Sequence, residues 1–289
     1  LSAHSLRLRR ALRDLPGFVL VSDTEQGTKT EHRGPAVAAF VSDGGMVEVA
    51  GPTPYTLLVT YGFSHALSPE PFREGVMHEY SLAVPKRTPL SPWADAFLRH
   101  QTRYILTQGA DIRVNDCIPL RGVPMTRVPF QPEHHAAMPD SALIGVLCAE
   151  DPVLPAVQTP HGTIAIRRLL GIVRLELDRV ETWSPAGFLT ALRTVDPLLL
   201  SDIRRASFMK VPAFADAVNA RATEEGSTMD AALFDVRWTL DDTGAVHVEL
   251  PQGQAAKRLL DGVQGRVGFG RRLAAFSMRG PPILFEPSA

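Results

Sequence analysis

Glu150 and Asp151 end an apolar run as "CAEDP" (148–152), with Pro152 directly behind them. A carboxylate at a strand end, faced by a second acid such as Asp116, is the pair that acid–base hydrolysis uses: one group protonates the leaving atom and the other activates water. The same acids equally begin a turn before proline, and their separation cannot be read from spacing. "PEHH" (132–135) with His161 offers imidazoles to a metal. Adjacent histidines on an extended loop diverge, however, and no spaced carboxylate completes a tetrahedral set. "YGFSHA" (61–66) has the Gly-x-Ser of a nucleophile elbow, but Ala66 stands where the second glycine is required. "GVQGRVGFGRR" (262–272) is glycine-rich and basic, as a phosphate cradle would be. A cradle needs a strand before it and a helix after it, so that helix amides face the anion. Here the order is reversed and no Gly-Lys-Ser/Thr follows. No catalytic set assembles, so no enzyme, metal or cofactor is expected; a hydrolase built on Glu150 and Asp116 is the alternative.

A denser cluster of charge lies in "ETWSPAGFLTALRTVDPLLLSDIRRASF" (181–208). Ser184 suits an N-cap, Pro185 the first helical position, and Phe188, Leu189, Leu192 and Val195 recur at helical spacing. Asp196-Pro197 stops the helix, because a residue before proline avoids helical angles. "LLLSDI" (198–203) then reads as a buried strand. The charges fall at element ends and on an outer face, which predicts a solvated surface rather than a reactive strip.

The elements that would hold these residues are short. "YTLLVTYGFS" (55–64) and "MHEYSLAVP" (77–85) read as neighbouring antiparallel strands, the second alternating like a half-buried one. "SPWADAFLRHQTRYILTQG" (91–109) is the clearest helix, from the Ser91 cap to Gly109. "ALIGVLCAE" (142–150) and "GTIAIRRLLGIVRLEL" (162–177) supply further strands, and the opening "LSAHSLRLRRALRDL" could form an amphipathic helix. A small, polar stretch, "ARATEEGSTMD" (220–230), reads as a link to a smaller unit: a hairpin over "DDTG", the helix "QAAKRLLDGV", and closing strands "GRRLAAFSM" and "PILFE".

Bulk properties bound the function. The 289 residues suit two domains, 45% are apolar, and 24 prolines with 22 glycines favour many short elements. A net charge of −1 gives no general attraction to nucleic acid or anionic membrane, so neither is expected as a partner. Two cysteines, Cys117 and Cys148, make no disulfide framework and suit a reducing, cytoplasmic home. No apolar run reaches the roughly 18–20 residues of a membrane span.

Several segments, in order, resemble the Suppressor of fused family: "RYILTQGADIRVNDCI" (103–118), "LCAEDPVLPAVQTPHGTI" (147–164), "LLGIVRLELDRVETW" (169–183), "GFLTALRTV" (187–195), "LLSDIRR" (199–205) and, more weakly, "QGRVGFGRRLAAFS" (264–277). The resemblance implies an α+β fold: a mixed α/β N-terminal domain with a mainly antiparallel sheet, placed at 1–219, and a smaller α+β C-terminal domain at 220–289, truncated relative to the family. It implies a binding protein without catalysis, in which a partner's peptide lies as an added strand between the domains. Carried over residue by residue, it puts partner-binding positions at Tyr104, Ile112, Asp116, Glu150 and Arg271, with Ile112 keeping only the apolar character of an aromatic position. The animal family's acidic low-complexity insertion is missing, and the Ala-, Arg- and Pro-rich style suggests a bacterial chain. Bacterial relatives resemble immunity proteins of toxin systems, so a cognate toxin is one expected partner.

Overall fold

His78, Glu79 and Ser81 are polar, yet all three are buried completely in a strand whose eight residues are buried throughout. The sheet that explains this is seen in a computed structural model, which describes residues 18–20, 45–49, 53–60, 78–88, 93–108, 111–159, 162–229, 231–233, 237–243, 246–249, 254–277 and 280–287. Internal contacts divide the chain into a first unit, Leu1–Leu177 with Leu192–Ser207, and a second, Asp178–Ala191 with Phe208–Ala289. The opening amphipathic segment, "YGFSHA", and the Ser91–Pro92 and Gly109 ends of the first helix lie outside the described residues.

The first unit is built on an eight-stranded sheet. Its strands are β1 (Phe18–Leu20), β2 (Gly45–Val49), β3 (Tyr55–Val59), β4 (His78–Pro85), β5 (Cys117–Pro119), β6 (Leu143–Glu150), β7 (Val157–Thr159) and β8 (Gly162–Val173). They run in the order β1-β2-β3-β4-β8-β6-β5, with β7 folded back on β8. Every pairing is antiparallel except β4 with β8, which is parallel from His78 opposite Ala165 to Ser81 opposite Arg168. The α+β expectation and the mainly antiparallel sheet both hold.

Both faces of this sheet are covered. Helix α1 (Trp93–Gln108) buries Trp93, Phe97 and Ile105 in a cluster with Leu58, Tyr80, Leu82, Val84 and Val146. On the other face Tyr55, Leu57, Val59 and Ala83 pack with Ile164, Ile166, Leu154 and Leu200. Period-2 alternation therefore does not expose half of β4, as the sequence pattern predicts; it sends alternate residues into two different cores. The polar ones stay because they are bonded: Glu79 accepts from the Thr60 hydroxyl at 2.7 Å.

Two further expectations change. Residues 174–177 are not strand: the chain leaves β8 at Val173 directly into helix α2 (Arg174–Thr182). "LLLSDI" is not a strand either. Leu199 is left-handed (φ 52°), and the segment wedges between the diverging ends of β4 and β8, with Ser201 N–H donating to Ala83 O at 2.8 Å and its hydroxyl accepting from Gly171 N–H at 2.9 Å. The charges of 181–208 divide: Arg193 and Arg204 are exposed as expected, whereas Asp202 and Arg205 are tied inward. Asp202 accepts from Arg87 at 2.6 Å, and Arg205 grips the buried Glu176 through two nitrogens at 2.5 and 2.6 Å.

The second unit contains α3 (Pro185–Leu192), started as expected by Ser184, whose hydroxyl accepts from Gly187 N–H at 3.1 Å. Helix α4 (Pro212–Glu225) buries Phe214 and Val218, with the Phe214 ring edge-on to Phe188 at 5.8 Å. The stretch expected as a linker is thus helical up to Glu225, so the expected 219/220 boundary falls inside a helix, and the division by contacts crosses at 177/178, 191/192 and 207/208. Strands β10 (Arg237–Leu240) and β11 (Val246–Glu249) form the expected hairpin. Strands β9 (Ala231–Leu233), β12 (Leu273–Ser277) and β13 (Gly280–Phe285) make a three-stranded sheet. On it, helix α5 (Gln254–Arg266) buries Leu259 against Leu273 and Ala275.

Candidate functional site

Residues 111–116 connect α1 to β5, the outermost strand of the described sheet order beside β6, and this connection is held by an unusual amount of polar structure. Asn115 is left-handed (φ 74°), a conformation asparagine tolerates better than most residues. Its N–H donates to Cys148 O at 2.8 Å, while Cys148 N–H donates to Asp116 O at 2.9 Å. The Asp116 carboxylate turns back on its own loop and accepts from Arg113 N–H at 2.7 Å. Glu150 is two residues along β6 from Cys148 and is exposed, and its carbonyl accepts from Arg193 at 3.3 Å. Asp116 and Glu150 therefore stand at the same end of the β5–β6 ladder.

Beneath the loop lies a cluster that motif reading missed. Tyr80 and Arg167 donate to Ile112 O at 3.0 and 2.6 Å; Arg167 also meets Asp111 at 2.9 Å, and His78 Nε2 lies 2.8 Å from the Tyr80 hydroxyl and 3.2 Å from Asp111. Burial lowers the His78 pKa to about 4, assisted by the Arg167 charge and opposed by Asp111, so the ring is neutral near pH 7. Burial pushes the Cys148 thiol up to about 12. The available signal was Arg167-Arg168 inside an apolar strand, because buried guanidiniums demand partners.

The five expected binding positions are placed unequally. Tyr104 is 48% exposed on α1, the helix leading into the loop. Ile112 is only 4% exposed; its side chain belongs to the core and its backbone anchors the loop, so it is not a surface contact. Asp116 is half-buried and Glu150 exposed. Arg271 belongs to the second unit, where it donates to Ser227 O at 3.0 Å. Asp151, the other acid of "CAEDP", is fully engaged: its carboxylate takes Arg168 at 2.8 and 3.1 Å and the amides of Val153 and Leu154 at 2.8 and 2.7 Å, leaving it no role as a free acid. The two histidines lie on a short 3-10 helix, Pro132–Ala137, rather than an extended loop, and His135 bonds Phe130 O at 3.0 Å. Among the described residues no cluster of three potential metal ligands occurs, and no helix is long and apolar enough to cross a membrane.

A mixed sheet buried on both faces, with an acid-bearing loop braced over its last strands, defines the class: an α+β protein whose candidate surface is a sheet margin. The Suppressor of fused protein (SUFU) family description matches residues 43–206. The human Suppressor of fused homolog is 30% identical over 105 residues, covering 34% of this chain and 22% of the human protein; the mouse homolog is 29% identical over the same length. The matched part is thus under a quarter of these relatives. Among solved structures, Drosophila Suppressor of Fused superposes with a TM-score of 0.63 at 19% identity, over 84% of this chain and 73% of that one. The Sufu-Fu complex structure gives 0.53 at 20% identity, over 73% and 93%. The chain belongs to the Suppressor of fused family.

Proposed function

We propose that this chain is a non-enzymatic binding module that sequesters a partner protein by holding a peptide segment at the β5–β6 end of the first unit. The observation that carries the reading is the joint placement of Asp116 and Glu150 at that end, on a loop and strand fixed by buried polar contacts. A rigid mount lowers the cost of ordering the site when a partner arrives. A segment added at a sheet margin gains main-chain hydrogen bonds, and flanking carboxylates select among segments. Tyr104 supplies an exposed aromatic body with a polar tip, a common anchor. Ile112 contributes from below, by fixing the loop. Arg271 is a separate determinant on the second unit. Family membership supports the reading, as does the existence of a Sufu-Fu complex, in which a relative is joined to a partner. The engagement of the Asp116 carboxylate with Arg113 N–H favours binding over acid–base chemistry.

The partner we propose is a toxin neutralised by stoichiometric capture in the cytoplasm of a bacterium; the Ala-, Arg- and Pro-rich composition supports a bacterial source. The test is co-expression with the products of neighbouring genes and calorimetric titration of any retained protein. Tyr104→Ala is expected to cost about 2 kcal/mol, or roughly thirtyfold in Kd. Asp116→Ala with Glu150→Ala should weaken binding at least tenfold. Full affinity in the triple variant sinks this site, and turnover of a substrate by the wild-type chain sinks the non-enzymatic reading.

A further inference from the structure

Arg266 and Arg271 converge on one atom. Arg266, at the end of α5, donates through Nη1 to Ser227 O at 3.1 Å, and Arg271, just past the left-handed Gly270 (φ 72°), donates through its own Nη1 to the same oxygen at 3.0 Å. Two like charges so close repel, and one neutral carbonyl offsets little of that. The carbonyl is held in place: Ser227 N–H donates to Gly265 O at 2.6 Å, Thr228 N–H to Trp183 O at 2.8 Å, and the Ser227 hydroxyl to Trp183 O at 3.2 Å. Gly226 adds to this, since a Cβ there would lie 2.6 Å from the Phe269 ring.

Among the described residues neither arginine has a carboxylate partner. Three acids of this unit are engaged elsewhere: Glu225 takes Arg221 at 2.8 and 3.0 Å and the Trp183 indole at 3.2 Å; Asp261 acts on Arg179; Glu286 is 3.8 Å from Arg272. A guanidinium has five N–H donors. Arg266 uses its Nε on Arg272 O and one Nη1 donor on Ser227 O, and Arg271 uses one, so most donors remain for a ligand. Arg271 and its neighbour Phe269 are exposed.

We propose that Arg266 and Arg271 form an oxyanion site that takes a phosphoryl group. Two guanidiniums match its charge of about −1.5 to −2 and its three acceptor oxygens, whereas a carboxylate is satisfied by one fork. The glycines are not the cradle; Gly270 makes the turn that brings Arg271 round, and side chains supply the donors. The phosphoryl group is either free orthophosphate or one carried on a protein side chain.

The test is a phosphorus-31 NMR titration of inorganic phosphate with the full chain at constant ionic strength, with no protein partner present, so that its outcome is separate from the capture reading. Saturable binding is expected, weakened at least tenfold by Arg266→Ala or Arg271→Ala, lost in the double variant, and not displaced by equimolar acetate. If an alanine variant fails to fold by circular dichroism, Arg271→Lys, which keeps the charge without the fork, should weaken binding several-fold. A Gly-phosphoserine-Gly tripeptide then separates the sources: tighter binding than orthophosphate points to a protein-borne group, and equal or weaker binding to the free ion. No saturable binding, affinity unchanged in the variants, or a shift persisting in the double variant (an adventitious ion only) overturns the proposal.

Discussion

Arg167 and Arg168 are adjacent in β8 and serve opposite faces of one sheet. Arg167 reaches Asp111 and the Ile112 carbonyl, while Arg168, with no exposed side-chain surface, closes on an equally buried Asp151. The demand for partners is visible in the sequence, since two guanidiniums in an apolar run cannot be left bare. The partners are not visible, because Asp111 lies 56 residues away from Arg167 and Asp151 lies 17 from Arg168. Breaking such a pair leaves an uncompensated buried charge, so Asp151→Ala should destabilise the first unit by about 3–5 kcal/mol, lowering the urea midpoint. Asp151→Asn with Arg168→Met should recover part of that loss, since it removes both charges and leaves an oxygen to accept from the Val153 and Leu154 amides. His78 sets an acid limit. Its folded pKa, about 4, lies below the usual 6.5, so between those values the unfolded chain binds the extra proton and stability falls as pH is lowered. Urea midpoints measured from pH 7 to 4 should drop less steeply in His78→Asn than in the wild type.

At the scale of elements, periodicity and turn chemistry made much of the fold readable: α1, α3, α5, the β3–β4 pair and the β10–β11 hairpin stand where apolar spacing, caps and "DDTG" place them. Failures came where local pattern fits two outcomes. "RLEL" serves strand or helix equally, and Glu176 decides for helix by accepting from Val173 N–H at 3.2 Å while clamped by Arg205. "LLLSDI" has strand-like composition, but it fills the gap that opens as the parallel pair β4–β8 diverges, which only tertiary structure reveals. Ser201→Ala should strand the buried Gly171 amide and cost about 1–3 kcal/mol, whereas Ser201→Thr should not orphan it. Gly171→Ala would set a methyl 2.6 Å from Leu143 and 2.9 Å from Met125 Sδ; a loss of about 1–3 kcal/mol is expected in denaturant titration.

For the molecule as a whole, family resemblance was more informative than residue chemistry. Residue chemistry marked Glu150 and Asp116 only as a possible acid pair and did not mark Tyr104; the ordered segments gave all three a binding role, and the structure then set Asp116 and Glu150 at one end of a ladder while burying Ile112. The contact boundary at 207/208 was obscured because the polar stretch chosen as a linker is helix-forming. A net charge of −1 predicts that the chain passes unretained through a DNA-cellulose column at physiological salt, and retention would contradict it. The parallel joining of β4 to β8 carries a last consequence, for biosynthesis. His78 meets Ala165 across a long intervening stretch, so β4 emerges from the ribosome well before the strand that completes it. Until then its apolar side chains and one row of amides are open to strangers. Closure over such a distance is slow, and the nascent chain must be shielded by a chaperone or by low local concentration during that interval.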